Sequence, residues 1–372
     1  MEFNGQVIEE AIPKAHRKIA VTDCSFIHKS GQKTYGIDYF YNSIIGKASL
    51  GLEISAVAIV DVDANIGYSL SVKQTPPTKE LKVSGNKDIE LVQKLGKKPS
   101  QSTSKKNRKS ASTQKKEPEE TRVDEYLKQM KEVQPHLPSD VGHLVCDGFY
   151  AKEKFVTGVK ELQLDVVSKL RTDANLKYLY TGPQKSRGAR RKYDGKVHLN
   201  DISKFTFVCD LEPQVKLYTC VVFSVCLKRQ IRLAYILDCR DPNRIGYVVL
   251  FSTDLTLDAL SIYRFYKARF QIEFIFRDAK QFLGLEHCQA RDQQKLDFHF
   301  HACLTALNLA KLDCQQLHVG EQPFVFSASN YKRLALNSHL LDVFISKLDL
   351  DPNLIKNHPN YPELCSYGAI AA

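Results

Sequence analysis

Short apolar runs separated by polar turns fill most of the chain, and long helical periodicities enter only in its last third. Ile19, Ala20 and Val21 form the first run and lead straight into Thr22 and Asp23, which predicts a short buried strand ending in a carboxylate. Strand patterns follow over 35–41, 54–62 and 67–72, the last after the turn-like Asp63, Ala64 and Asn65, and they imply three or four strands in meander order. After Pro76 and Pro77, the uneven apolar stripe of Leu81, Ile89, Leu91, Val92 and Leu95 predicts a helix over 78–95. Residues 96–121 hold no large apolar side chain, cannot bury a core and predict a mobile loop with a basic centre at 105–109.

The pattern resumes with a helix over 123–133 and a second apolar strand, 143–146, that stops at Asp147. A helix over 151–163 and strands over 164–170 and 176–180 come next, followed by the basic, glycine-containing stretch 185–192, which is too charged to be core. From 205 to 251 the runs are β-branched and aromatic, with turns at 210–213 and 241–243, and predict a β-rich unit of about four strands. Long helical periods occupy 259–282 and 296–312, and helical stretches recur at 330–348.

Composition narrows the possible partners. Lys and Arg outnumber Asp and Glu by 53 to 42, a net charge of +11 that favours polyanions, nucleic acid first. The longest apolar stretches, such as 219–227, fall well short of the roughly 20 residues a membrane helix needs. The first residues lack the charged and apolar regions of a secretion signal, so no membrane partner is expected and the cytosol is the expected compartment. The ten cysteines sit mostly in apolar runs and form no C-x-x-C pair, which reads as small buried hydrophobes rather than a zinc site. His299, His301 and Cys303 form a possible metal cluster, but the three do not share a face of a regular helix.

Over 259–282 the chemistry concentrates. At about 100° per residue, Tyr266, Arg269, Glu273, Arg277 and Lys280 fall in a stripe about 80° wide. Phe265, Ile272, Ile275, Phe276, Ala279 and Leu283 collect on the face beside it. Alone, such a stripe reads as a solvated face with intrahelical ion pairs of about 0.2–0.5 kcal/mol each. The spacing Y-x-x-R-x-x-x-E-x-x-x-x-x-x-K, however, fits Tyr266, Arg269, Glu273 and Lys280 without gap or substitution.

That helix resembles the signature helix of bacterial DDE transposases of the insertion-sequence-four family. The resemblance implies an α/β, ribonuclease-H-like mixed sheet flanked by helices, with a β-rich insertion between the second aspartate and the glutamate. It implies Glu273 as a metal-binding carboxylate, with Tyr266, Arg269 and Lys280 on the DNA backbone; Arg277 is added as a DNA contact because it shares their face. Arg and Lys suit phosphate oxygens on general grounds. The expected cofactors are two Mg²⁺ or Mn²⁺ ions, and the expected partner is double-stranded DNA, as transposon ends and target, bound by a homodimer in a cytoplasmic, nucleoid-associated setting.

Two-metal phosphoryl chemistry needs carboxylates converging from different elements. Asp23 and Asp147 each follow an apolar run, which would place them at strand ends where open α/β sheets put their sites, although such an aspartate alone more often just caps a turn. Asp61 and Asp63 compete for the same role, but in the implied fold the first and fourth strands are neighbours, whereas Asp61 would sit on a third strand farther out. The segments after Asp23 (Cys-Ser-Phe-Ile-His-Lys-Ser-Gly) and Asp147 (Gly-Phe-Tyr-Ala-Lys-Glu-Lys-Phe) also resemble the family's blocks.

The implied organisation is an N-terminal arm (1–16), a first part of the catalytic core (17–187) with the loop 96–121, a β-rich insertion (188–255), the rest of the core (256–320) and a C-terminal helical segment (321–372). The insertion could instead be an edge-protecting sandwich, and the last segment either a dimerisation element or a packing helix. Asp23 lies so near Met1 that the separate N-terminal DNA-binding domain of relatives is not expected. The functional expectation is cut-and-paste DNA transposition. A nuclease without strand transfer and an inactive, DNA-binding remnant are the alternatives.

Overall fold

The structure is a computed structural model that describes residues 1–31, 33–42, 44–77, 121–241, 243, 245–317 and 324–370. The helix expected over 78–95 and all but the last residue of the loop expected over 96–121 lie outside the described residues.

The chain opens with helix α1 (Glu2–Ala11), followed by β1 (Lys18–His28), β2 (Asp38–Asn42), β3 (Lys47–Asp61) and β4 (Ile66–Gln74). After α2 (Arg122–Val133) come β5 (His143–Cys146), α3 (Glu153–Glu161) and β6 (Asp165–Lys169). These elements set the half of the sheet that carries the candidate site. β1 runs antiparallel to β3 and parallel to β5, β5 runs parallel to β6, and β4 runs antiparallel to β3. This mixed sheet with helices on both faces is a ribonuclease-H-like arrangement.

The meander expectation is corrected. β1 pairs with β3, not with β2: β3 is 15 residues long and offers its first five to β2 and its last eight, from Ile54 to Asp61, to β4. The first strand is also longer than its apolar run. β1 continues through Asp23 to His28, since β3 supplies a partner at every step from Asp61 to Gly51.

The β-rich unit does not stand apart. β7 (Leu176–Leu179), β8 (Tyr193–Lys196), β9 (Thr206–Glu212), β10 (Val215–Ser224), β11 (Arg229–Asp238) and β12 (Gly246–Ser252) extend the same sheet, because β12 pairs antiparallel with β6. β7 and β8 join four strands close to those read from the sequence.

Helices α4 (Ala259–Ala268), α5 (Gln271–Phe282) and α6 (Gln293–Leu317) follow, then α7 (Ala328–Lys347), α8 (Pro352–Lys356) and α9 (Tyr361–Cys365). Strand alternation sends Ile19, Val21, Val145 and Val167 to a core shared with Ile262, Phe265, Ile272, Ile275, Phe300 and Leu304. Ala20, Leu144 and Val166 go to the opposite core, with Ile8 of α1, Met130 of α2 and Phe155 of α3. Burial on both faces is why these strands read as nearly continuous apolar runs. The N-terminal arm contains a helix that the hydrophobic pattern did not predict: α1 buries Val7, Ile8 and Ala11.

One glycine sets how closely α5 can approach the sheet. A Cβ on Gly67 of β4 would lie 3.0 Å from the Gln271 Cβ and 3.2 Å from the Ile275 Cδ1, both on buried residues of α5. The Gly67 carbonyl also accepts a 2.6 Å hydrogen bond from the buried Lys311 Nζ. Gly67→Ala is therefore expected to cost about 1–3 kcal/mol through overpacking, read as a lowered midpoint in thermal or urea unfolding.

Candidate active site

Parity along the strands builds the site. Asp23 is two residues beyond Val21, and Asp147, in extended conformation, is two beyond Val145, so both continue the series that faces α4 and α5. The parallel pairing of Thr22 with Cys146 brings the two aspartates to the same level on neighbouring strands. Asp23 is thus mid-strand, not at a strand end as expected. The site forms there because β5 stops at Cys146 while β1 continues beside β3.

The helix expected over 259–282 is two helices. Between α4 and α5 the bonds tighten to three-residue spacing: Phe270 N donates to the Lys267 carbonyl at 3.2 Å, Ile272 N to Arg269 at 3.1 Å and Glu273 N to Phe270 at 3.0 Å. No proline or glycine marks the break, and the regular 100° stripe therefore does not run unbroken from Tyr266 to Lys280. The tightened turn carries Arg269 toward β1. Its Nη1 donates to the Asp23 Oδ2 at 3.0 Å and its Nη2 to the Glu273 Oε1 at 2.9 Å. The Arg269 guanidinium also lies 5.5 Å from the centre of the half-buried Tyr266 ring.

Asp23, Asp147, Glu273 and Lys280 line one cleft of about 760 Å³. Asp147 Oδ1 accepts from the Phe149 amide at 2.8 Å, and the Asp147 carbonyl accepts from Ser168 Oγ at 2.7 Å. Lys280 Nζ donates to the Phe26 carbonyl at 2.6 Å and pairs with Glu286 at 3.2 Å. Arg277 does not line the cleft; it is exposed, paired with Asp278 at 2.8 Å and stacked 4.5 Å over Phe274. Sequence reasoning passed over two further cleft acids, Glu53 and Glu286. Glu53 accepts from the Tyr126 hydroxyl at 2.8 Å, and its position inside the apolar run of β3 was the signal that could have marked it.

Burial pushes the Asp23 carboxyl up to about 6, against the lowering pull of Arg269 and the Cys24 amide, with Asp147 and Glu273 adding their like charge. Burial likewise raises the Tyr266 hydroxyl. Negative charge thus converges here around a single bridging guanidinium, and the donors are all carboxylate oxygens. That set suits a hard divalent cation such as Mg²⁺ or Mn²⁺.

Asp61 and Asp63 lie elsewhere. β3 is the direct neighbour of β1, so Asp61 is not farther out as expected; the antiparallel pairing instead sets it opposite Lys18, at the other end of the strand from the cleft. Among the described residues, His16, Asp61 and Asp63 are the only group of three ligand-type side chains mutually within 4.8 Å. Three of their four carboxylate oxygens already accept or pair: Asp61 accepts from the amides of Asp63 and Ala64 and contacts His16 Nδ1 at 2.7 Å, while Asp63 Oδ2 accepts from the Arg17 amide. His299, His301 and Cys303 do not come together: His299 and Cys303, one turn apart, touch at 3.6 Å, whereas His301 turns back to the Asp297 carbonyl.

Fold and acidic cleft together define a ribonuclease-H-like class of nucleic-acid enzymes. The family model of the transposase DDE domain matches residues 79–309, more than half of the chain, and the chain belongs to that family. The matched span holds Asp147 and Glu273; Asp23 precedes it. A search of curated proteins finds no match. The protein is accordingly a DDE transposase, a class that acts on DNA and normally uses divalent metals. No helix among the described residues is long and apolar enough to cross a membrane.

Proposed function

We propose that the protein is a cut-and-paste transposase of the insertion-sequence-four type, with Asp23, Asp147 and Glu273 as its metal-holding triad. The observation that carries this reading is the Arg269 bridge, which ties the Y-x-x-R-x-x-x-E segment to the aspartate of β1 across more than two hundred residues of sequence. When bound at these carboxylates, two Mg²⁺ or Mn²⁺ ions would supply activation of the attacking oxygen and neutralisation of the in-line displacement. Arg269 holds Asp23 and Glu273 in place and carries a charge that can pass to a phosphate oxygen. Lys280 lines the cleft and is a backbone contact there; Tyr266 lines a separate hollow with Tyr263, Lys267, Arg269 and Phe270, and in this reading it and Arg277 meet the duplex outside the cleft.

The homodimer belongs to the same reading. Leu336, Leu340, Val343 and Phe344 recur one turn apart along α7 and are all exposed, an apolar stripe that a second copy would cover. A cytosolic, nucleoid-associated location follows from DNA as substrate.

The test is an assay on linear duplex carrying the element's ends with supercoiled target. Mg²⁺-dependent nicking followed by covalent joining of the freed 3′ ends is expected. Nicking without joining would replace this reading with a simple nuclease, and binding without nicking would leave a DNA-binding remnant.

A further inference from the structure

We propose that the loop between β7 and β8 is a second DNA contact, an arm that grips the phosphate backbone away from the bond being cut. The inference rests on the transposase reading above and adds to it a surface that no cleft residue shares. Residues 180–192 carry five cations, Lys185, Arg187, Arg190, Arg191 and Lys192, and no acid.

The arm is a closed structure. Tyr180 N donates to the Lys192 carbonyl at 3.0 Å, and Gln184 exchanges two bonds with Arg191, at 2.8 and 2.9 Å. Arg191 is spent on this closure: it lies 4.4 Å over the Tyr180 ring and pairs with Asp194 at 2.7 Å. Lys185, Arg187, Arg190 and Lys192 are exposed and have no ion-pair partner among the described residues. Four like charges held on one short loop repel each other, and a polyanion relieves that repulsion while releasing its own counterions.

Position selects DNA among polyanions. β7 runs antiparallel to β10, as β12 does to β6, so the ladder register sends the β7–β8 loop toward the end of the sheet where Lys169 closes β6 beside Asp147. Six strand steps separate β7 from β1. At ~4.8 Å per step the strand at the base of the arm stands ~29 Å from β1 across the sheet. That span is about nine base pairs of duplex, so one helix lying in the cleft reaches the arm within a turn.

The experiment measures duplex affinity against NaCl concentration, using a linear duplex of mixed sequence, for the wild type and for the combined Lys185→Ala, Arg187→Ala, Arg190→Ala and Lys192→Ala variant. The slope of log affinity against log salt is expected to fall by about 3–4, at ~0.9 for each phosphate that the variant no longer neutralises. A second variant, Arg187→Lys with Arg190→Lys, keeps the charge and is expected to keep the slope. An unchanged slope in the alanine variant overturns the arm, as does an equal loss in the lysine variant, which would mark a structural role. Loss of binding to anionic phosphatidylglycerol vesicles with duplex binding intact would assign the arm to a lipid surface instead. A wild type that binds no duplex overturns the transposase reading and the arm together, whereas wild-type binding with an unchanged slope overturns the arm alone.

Discussion

Glu273→Gln is expected to reduce strand cleavage by roughly 10²–10³-fold or more, the scale on which loss of one transition-state charge stabiliser is felt, while duplex affinity stays near that of the wild type. The substitution preserves shape and leaves an amide oxygen to accept from Arg269, which now donates to the Glu273 Oε1 at 2.9 Å. The Glu273 side chain is 40% exposed, so the fold should hold to within about 0.5 kcal/mol. What the change removes is one negative charge from the convergence of Asp23, Asp147 and Glu273. A single-turnover nicking assay paired with a binding isotherm separates the two effects. Nicking at the wild-type rate would remove Glu273 from the triad, and parallel loss of binding and nicking would make it a DNA contact.

Most elements of the fold could be read from apolar runs, because strands buried on both faces leave an uninterrupted signature. What could not be read was how far each strand extends. β1 looked three residues long because Ile19, Ala20 and Val21 are its apolar part; its remaining length comes from pairing with β3, a non-local property. The same cause hid the strand order, since nothing local shows that β3 is long enough for β2 and β4 to share one side of it. In the cleft, the motif spacing was visible but the tightened turn at Arg269 and Phe270 was not. No helix breaker stands there, and the turn comes with a contact remote in sequence, from Arg269 to Asp23 on β1. Arg277 shows the reverse error: regular helical geometry put it on the stripe, and it does share α5 with Glu273 and Lys280, but its guanidinium turns to Asp278 and the Phe274 ring rather than into the cleft.

Asp23→Asn is expected to abolish cleavage and yet make the metal-free protein more stable at pH 8. Burial first, then the like charges of Asp147 and Glu273, raise the Asp23 carboxyl from 3.8 to about 6, against Arg269 and the Cys24 amide. A carboxyl whose folded pKa is raised holds its proton more tightly in the native state, so stability is greatest at acid pH. It falls as pH climbs from about 4 to about 6, and above that the charged form carries the whole cost. At about 1.36 kcal/mol per pH unit, that cost is on the order of 3 kcal/mol, a net figure in which the attraction of Arg269 is already included. Unfolding in chelator should therefore show asparagine above wild type at pH 8 and the gap closing toward pH 4. Excess Mn²⁺ should invert the order, since a ligand that binds only the folded wild type adds stability by mass action and asparagine supplies no charge to hold it. A gap that widens toward acid pH would refute the burial argument, and equal Mn²⁺ stabilisation of both proteins would take Asp23 out of the metal-holding set. The carboxyl that burial disfavours in the metal-free fold is thus one that the proposed chemistry needs charged, and the Arg269 bridge is the contact that favours its charged form.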